Sequence, residues 1–209
     1  MLKWLKHILA MDKEMFEFYK NALQGAITNP LCGEYKNVWR MCGDDKERLA
    51  MLALRQQSLP YLITHCYKGK GLTKEYILDA FGDYINARRP ILDADLVKGY
   101  SYAIYVDFKA ICNVTNDVTA FMWCSCPQVE IGTSKCPVLY VGCGSELHLV
   151  CDGYNSPVIY LFDDSSLVID DADDTSSIRV YKYSSDAQVE YGKYCTCDNI
   201  RVFEKELRL

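Results

Sequence analysis

From Asn116 to the C-terminus, short apolar stretches recur at intervals of about twenty residues. They sort into two alternating sets. One set reads NDVTAF, CPVLYV, SPVIYL, SSIRVY and DNIRVF. Its lead residues Val118, Val138, Val158, Ile178 and Ile200 are spaced 20, 20, 20 and 22 apart. The other reads PQVEIG, SELHLV, SSLVID and AQVEYG, led by Val129, Leu147, Leu167 and Val189 at spacings of 18, 20 and 22. Within each stretch apolar residues stand at i and i+2, the period of a strand with one face turned inward. A fixed long period built from such strands predicts a solenoid, in which each repeat buries its apolar residues only against its neighbours. Two strands per repeat, joined by corners rich in Gly, Ser, Asp, Asn and Cys, predict a flattened coil of two facing parallel sheets.

Lead positions and their i+2 partners supply the expected inner ladders. In the first sheet these are Val118/Ala120, Val138/Tyr140, Val158/Tyr160, Ile178/Val180 and Ile200/Val202. In the second they are Val129/Ile131, Leu147/Leu149, Leu167/Ile169 and Val189/Tyr191. The first sheet then turns Phe121, Leu139, Val141, Ile159 and Leu161 outward in its early coils, and Arg179, Tyr181, Arg201 and Phe203 in its late ones. An outer face that is apolar early and polar late implies a cover over the early part. The N-terminal half of the same chain is the natural cover. The charges of Glu204, Lys205, Glu206 and Arg208 follow the last strand, where they discourage edge-to-edge pairing.

The first half reads as helices. Leu2, Leu5, Leu9, Phe16, Tyr19, Leu23 and Ile27 mark one apolar side, closed by Asn29-Pro30. Shorter helices are expected around Tyr35–Cys42, from an N-cap at Asp44 with Glu47 three residues on, and over YLITHCY after Pro60. Thr73 is the clearest cap, preceding KEYILDAFGDYINA with its stripe of Tyr76, Ile77, Ala80, Phe81 and Ile85. The organisation expected is therefore α+β. A helical domain over 1–92 is followed by a linker and lead-in strand over 93–115, and by a parallel β-solenoid of four to five coils over 116–209. The helical half packs on the solenoid.

Composition narrows the function classes. The net charge is −5 and no run of Lys or Arg exceeds two, so no electrostatic footprint for nucleic acid is present. The start, MLKWLKHILAMDKE, lacks the long apolar core and small-residue cleavage site of a signal peptide, and no apolar run reaches the length of a membrane span. Eleven cysteines without an export signal read as reduced thiols, hence a cytoplasmic chain.

TKEYILDAFGDYIN, the AFMWCSCP corner and CPVLYVGC…CDGYNSPVIYLFDDS together resemble a family of proteins from gut Bacteroidales and their crAss-like phages. The resemblance covers about residues 70–209. It implies a phage or mobile-element setting, in host cytoplasm or virion, and supplies no activity and no site residues.

Candidate chemistry is sparse. The pairs Cys124/Cys126 and Cys195/Cys197 have Cys-x-Cys spacing and lie several coils apart, unlike the Cys-x2–4-Cys pairs of zinc sites. Asp163, Asp164, Asp170, Asp171, Asp173 and Asp174 crowd two corners without a calcium-loop pattern, and read as turn residues. His65 and Cys66 are adjacent on an expected helix, so their side chains diverge, and His148 with Cys151 has no oxyanion loop beside it. A hexapeptide-repeat acyltransferase would need three strands per coil. The second helix of a helix–turn–helix over 58–87 would be acidic, wrong for phosphate contact. No catalytic, cofactor-binding or metal residues are assigned. The expectation is a non-enzymatic structural or interaction protein, either a virion fibre or adaptor or an intracellular factor that binds a host protein. It engages a protein partner or itself, with no nucleic acid and no membrane, through Arg179, Tyr181, Tyr183, Arg201 and Phe203.

Overall fold

In the computed structural model the described residues are Met41, Ile63, 73–82, 85–86, 91–92, 101–133 and 135–206. Most of them belong to strands: β1 (Ile91–Leu92), β2 (Ser101–Val106), β3 (Cys112–Val114), β4 (Val118–Met122), β5 (Ser125–Ile131), β6 (Val138–Gly142), β7 (Glu146–Cys151), β8 (Val158–Leu161), β9 (Ser166–Ala172), β10 (Ile178–Lys182), β11 (Gln188–Cys195) and β12 (Ile200–Glu204). One helix, α1, runs over Lys74–Phe81, with Ile77 N donating to Thr73 O at 3.1 Å and Glu75 in its first turn, where an anion suits the helix dipole. Met41 and Ile63 have helical backbone. The helices expected over 2–27, around 35–42, from 44 onward and over 61–67 otherwise lie outside the described residues.

The strands wind as the repeat predicts. Sheet A runs β1-β2-β4-β6-β8-β10-β12 and sheet B runs β11-β9-β7-β5-β3. Every pairing is parallel except that of β1 with β2. The solenoid begins with β2 and β3, a complete coil ahead of residue 116, so SYAIYV is its first strand as well as a lead-in. Its core lies between the sheets, built from Phe121, Leu139, Val141, Ile159, Leu161 and Val180 of sheet A and Val129, Ile131, Leu147, Leu149, Leu167 and Ile169 of sheet B.

That core corrects the expected faces of sheet A. Val138 lies on Val158 as expected, but the next residue in that column is Arg179, with Val180 opposite Ile159. The step from β8 to β10 is thus one residue longer than the sequence spacing suggested, and a one-residue slip exchanges the two faces of a strand. The late coils are as expected: Ile178 and Val180 are buried inside, and Arg179 and Arg201 are exposed outside. In the early coils Phe121, Leu139, Val141, Ile159 and Leu161 point inward, while Val118, Ala120, Val138, Tyr140, Val158 and Tyr160 form the outer face. The physical reason is that both faces of the early strands are apolar, so alternation carried no polarity there. Sheet B keeps its expected faces. Its register differs by two residues at Val129, which lies on Leu149 rather than Leu147, because β5 carries an irregularity between Cys126 and Val129.

Corners set the coil. Asp107, Trp123, Cys143 and Asp163 have φ of 51°, 53°, 57° and 58°, a left-handed residue at the end of four successive sheet A strands. Turning the chain there would leave backbone groups unpaired inside, and small polar side chains take them up. Ser145 Oγ accepts from Cys124 N at 3.0 Å and donates to Gly142 O at 2.6 Å, while Ser145 N donates to Ser165 Oγ at 3.1 Å. At the opposite corner the fully buried Asn155 donates to Ile131 O at 3.1 Å and accepts from Lys135 N at 3.0 Å. Cys124 and Cys197 belong to the same ladders, their thiols donating to Tyr105 O at 3.3 Å and Ser176 O at 3.2 Å.

The two ends of the rod differ. At the start, Asn86 (φ 56°) closes the edge of β2 beyond β1. Its N–H donates to Ile104 O at 2.7 Å, its Nδ2 to Val106 O at 3.3 Å, and its Oδ1 accepts from Val106 N at 2.9 Å. One residue, by backbone and side chain together, thereby takes the place of a strand partner. The outer face above it is buried at Ile104, Ala120, Met122 and Tyr140. Ile63, itself fully buried, sits on Gly142, where an added Cβ would overlap Ile63 Cγ2. Cys143 Sγ donates to Ile63 O at 3.6 Å. At the other end β12 and β11 are the outermost strands of their sheets.

Two substitutions of opposite sign test this arrangement. Gly142→Ala displaces Ile63 and is expected to lower unfolding free energy by about 1–3 kcal/mol; most of that loss should vanish in an Ile63→Ala background, and an equal loss in both backgrounds would contradict the contact. Thr119 is buried and its Oγ1 has no hydrogen-bond partner. Thr119→Val is therefore expected to stabilise by about 1 kcal/mol in denaturant melts, and a loss of stability would show the hydroxyl to be engaged.

Candidate interaction surface

The outer face of sheet A carries three columns of side chains, one residue per coil. The middle column is Ile104, Ala120, Tyr140, Tyr160, Tyr181 and Phe203. From Tyr140 onward it is an aromatic ladder, with ring centroids 4.9, 5.3 and 5.0 Å apart and interplanar angles below 24°. In-register parallel strands lie about 4.8 Å apart, so like rings one coil apart stack without adjustment. Each such contact stabilises by about 0.5–1.5 kcal/mol beyond burial. Beside it Phe162 stacks on Tyr183 at 5.2 Å. Burial and the neighbouring tyrosines raise the Tyr160 hydroxyl above its ordinary value, so it stays protonated.

Exposure grows along the ladder. Tyr140 is 3% exposed, Tyr160 and Tyr181 are half-buried, and Phe203 is 37% exposed. The column next to it runs Val118, Val138, Val158, Arg179, Arg201, apolar until β10 and basic afterwards. Arg179 and Arg201 are register partners, both exposed, and neither forms an ion pair among the described residues. Lys205 adds a third cation, 5.8 Å from the Tyr181 ring centroid. The structure therefore brings all five expected residues onto one face. Arg179 and Arg201 share a column, Tyr181 and Phe203 share the next, and Tyr183 stands beyond them on Phe162. Sequence reasoning missed Tyr140, Tyr160 and Phe162 as parts of the same ladder. The signal is a tyrosine at the same place in consecutive repeats, but the apolar pattern of those strands points it inward whereas the structure turns it outward.

The other candidate groups separate or are occupied locally. His148 lies on the outer face of sheet B, its Nδ1 2.9 Å from Asp170 Oδ2 and its Nε2 3.7 Å from Glu146 Oε1. Cys151, three residues on in the same strand, is buried on the inner face. Their side chains leave opposite sides of the sheet, so they form no nucleophile–base pair. Burial also pushes the Cys151 thiol up to about 12 and the Cys112 thiol up to about 11, leaving both neutral and poor nucleophiles at neutral pH. The hydrogen bond to Cys124, together with burial, raises Cys126 as well.

Asp163 and Asp170 bond to the preceding coil, and Asp173 bonds within its own turn. Asp163 Oδ2 accepts from Cys143 N at 3.0 Å, and hydrogen bonds from Thr175 hold Asp173 below the usual carboxylate range. Among the described residues no group of three or more His, Cys, Asp and Glu side chains is placed to hold a metal, and no helix is long and apolar enough to cross a membrane. The described coils have two sheets each, where a hexapeptide-repeat enzyme has three. Compared with known proteins, the chain matches no family model, no curated protein and no solved structure.

Proposed function

We propose that this chain is a non-enzymatic interaction protein whose docking surface is the outer face of β8, β10 and β12. One observation carries the reading. The aromatic ladder that is buried at Tyr140 continues without interruption to the exposed Phe203, flanked by arginines that form no ion pair among the described residues. Aromatic residues and arginine are the types enriched where proteins bind, because they combine large contact area with directional contacts. The rigidity of the ladder adds to this, since rings already fixed by stacking lose little freedom on binding. The family resemblance supplies the setting of the proposal: a phage-encoded virion component, or a factor that binds a host protein in the host cytoplasm.

Site-specific photo-crosslinking tests the surface. A photoreactive amino acid placed at Phe203 or Tyr183 is expected to give one discrete higher-mass adduct in cells. The same group at His148, on the outer face of sheet B, is expected to give none. Equal labelling from both faces, or none from Phe203 in a chain whose circular dichroism is unchanged, would overturn the assignment.

A further inference from the structure

β12 is the outermost described strand of sheet A, and its outer edge has a defined chemical pattern. Asn199 O accepts from Ile178 N and Lys205 N donates to Lys182 O, so the odd-numbered residues of β12 face β10. By alternation the N–H and C=O groups of Ile200, Val202 and Glu204 point away from it, toward open solvent. Val202 is 38% exposed although it continues the buried inner column of Ile159 and Val180. The inner column is thus exposed at this edge.

We infer that β12 accepts one further strand from a different protein, a segment carrying a carboxylate opposite Arg201. This rests on the interaction surface proposed above and names the chemistry of its partner. A parallel strand added at β12 extends every column by one residue. The Ile200 and Val202 columns take apolar residues, the Phe203 column takes an aromatic ring, and the Glu204 column takes a lysine or arginine. The Arg201 column takes an aspartate or glutamate. Arg179 and Arg201 stand as like-charged register partners, an arrangement that is destabilising across a strand pair until an anion meets it. Main-chain bonds supply affinity in such strand addition, and the alternate side chains supply selectivity.

A second copy of this chain paired antiparallel through β12 does not complement the edge. In any antiparallel β12–β12 pairing that keeps outer residues outside, the partner of Arg201 is an odd-numbered residue: Asn199, Arg201, Phe203 or Lys205. None carries a carboxylate. Nucleic acid is disfavoured by the net charge of −5 and by the carboxylates of Glu204 and Glu206 beside the edge.

A fluorescein-labelled peptide with the core Val-Asp-Val-Tyr-Lys, titrated against the full chain by fluorescence anisotropy, is the test. Binding is expected to fall at least tenfold when the peptide's Asp becomes Lys, and to fall as much with Arg201→Glu. The Arg201→Glu chain should in turn prefer the Lys peptide. Val202→Pro removes an outward N–H while leaving the β10 ladder whole, and should abolish binding of either peptide. Insensitivity to both charge reversals overturns the inference. Binding that survives Val202→Pro but not Arg201→Glu overturns strand addition and leaves the docking face intact, whereas loss of crosslinking at Phe203 removes the face itself. A concentration-dependent dimer in light scattering, abolished by Val202→Pro, would show the edge to be filled by a second copy and would also overturn the inference.

Discussion

Each coil of this rod can bury its apolar side chains only if the coils before and after it start and stop at the same places. The corners impose that condition. A residue in left-handed backbone conformation ends the sheet A strand in coil after coil, at Asp107, Trp123, Cys143 and Asp163, at a cost of about 1–2 kcal/mol each. What offsets the cost is the hydrogen bonding that the turn makes available. Ser145, Ser165 and Asn155 tie adjacent coils together through groups that would otherwise be orphaned in the interior. Once the corners are stacked, the strands between them pair in register, and the core and the aromatic ladder follow from that.

The same condition explains the contrast between the two ends. Asn86 satisfies the edge of β2 with three hydrogen bonds, and the early outer face is buried, with Ile63 seated where Gly142 has no side chain. Among the described residues the late end has no equivalent. There β12 presents Val202 and Phe203, and β11 presents Tyr191 and Tyr194, 56% and 66% exposed. Tyr191 occupies the column of Ile169, an inner position that is exposed in the last described coil. We propose that a partner binds at this exposed end. The functional proposal grows out of that asymmetry.

How much of this was legible in the sequence depended on whether polarity marked a face. In sheet B the strands alternate cleanly, as at Glu146-Leu147-His148-Leu149, and the inner face was correctly read even where the register was displaced by two at Val129, because an even shift preserves the face. In sheet A the early strands are apolar on both sides, and VLYV fits either orientation; only Arg179 marks the outside, and it sits one residue beyond the simple period. The five residues expected to form a surface all lie after that point, and they are on the surface. Tyr140 and Tyr160 lie before it and were placed inside. The role of Asn86 as an edge cap was invisible, since nothing local distinguishes it from any turn asparagine. The close approach at Gly142 depends on Ile63, far away in the chain.

The step from β8 to β10 is where the competing registers differ, so it is the point at which to measure. A chain carrying Val158→Cys with Arg179→Cys places two thiols on adjacent strands and one face, within the span a disulfide bridges. Under mild oxidation, peptide mapping by mass spectrometry is expected to find the 158–179 linkage. Val158→Cys with Ile178→Cys should stay unlinked, its thiols on opposite faces of sheet A. Linkage of 158 to 178 in place of 179 would contradict the winding described and, with it, the position of every residue on the proposed surface.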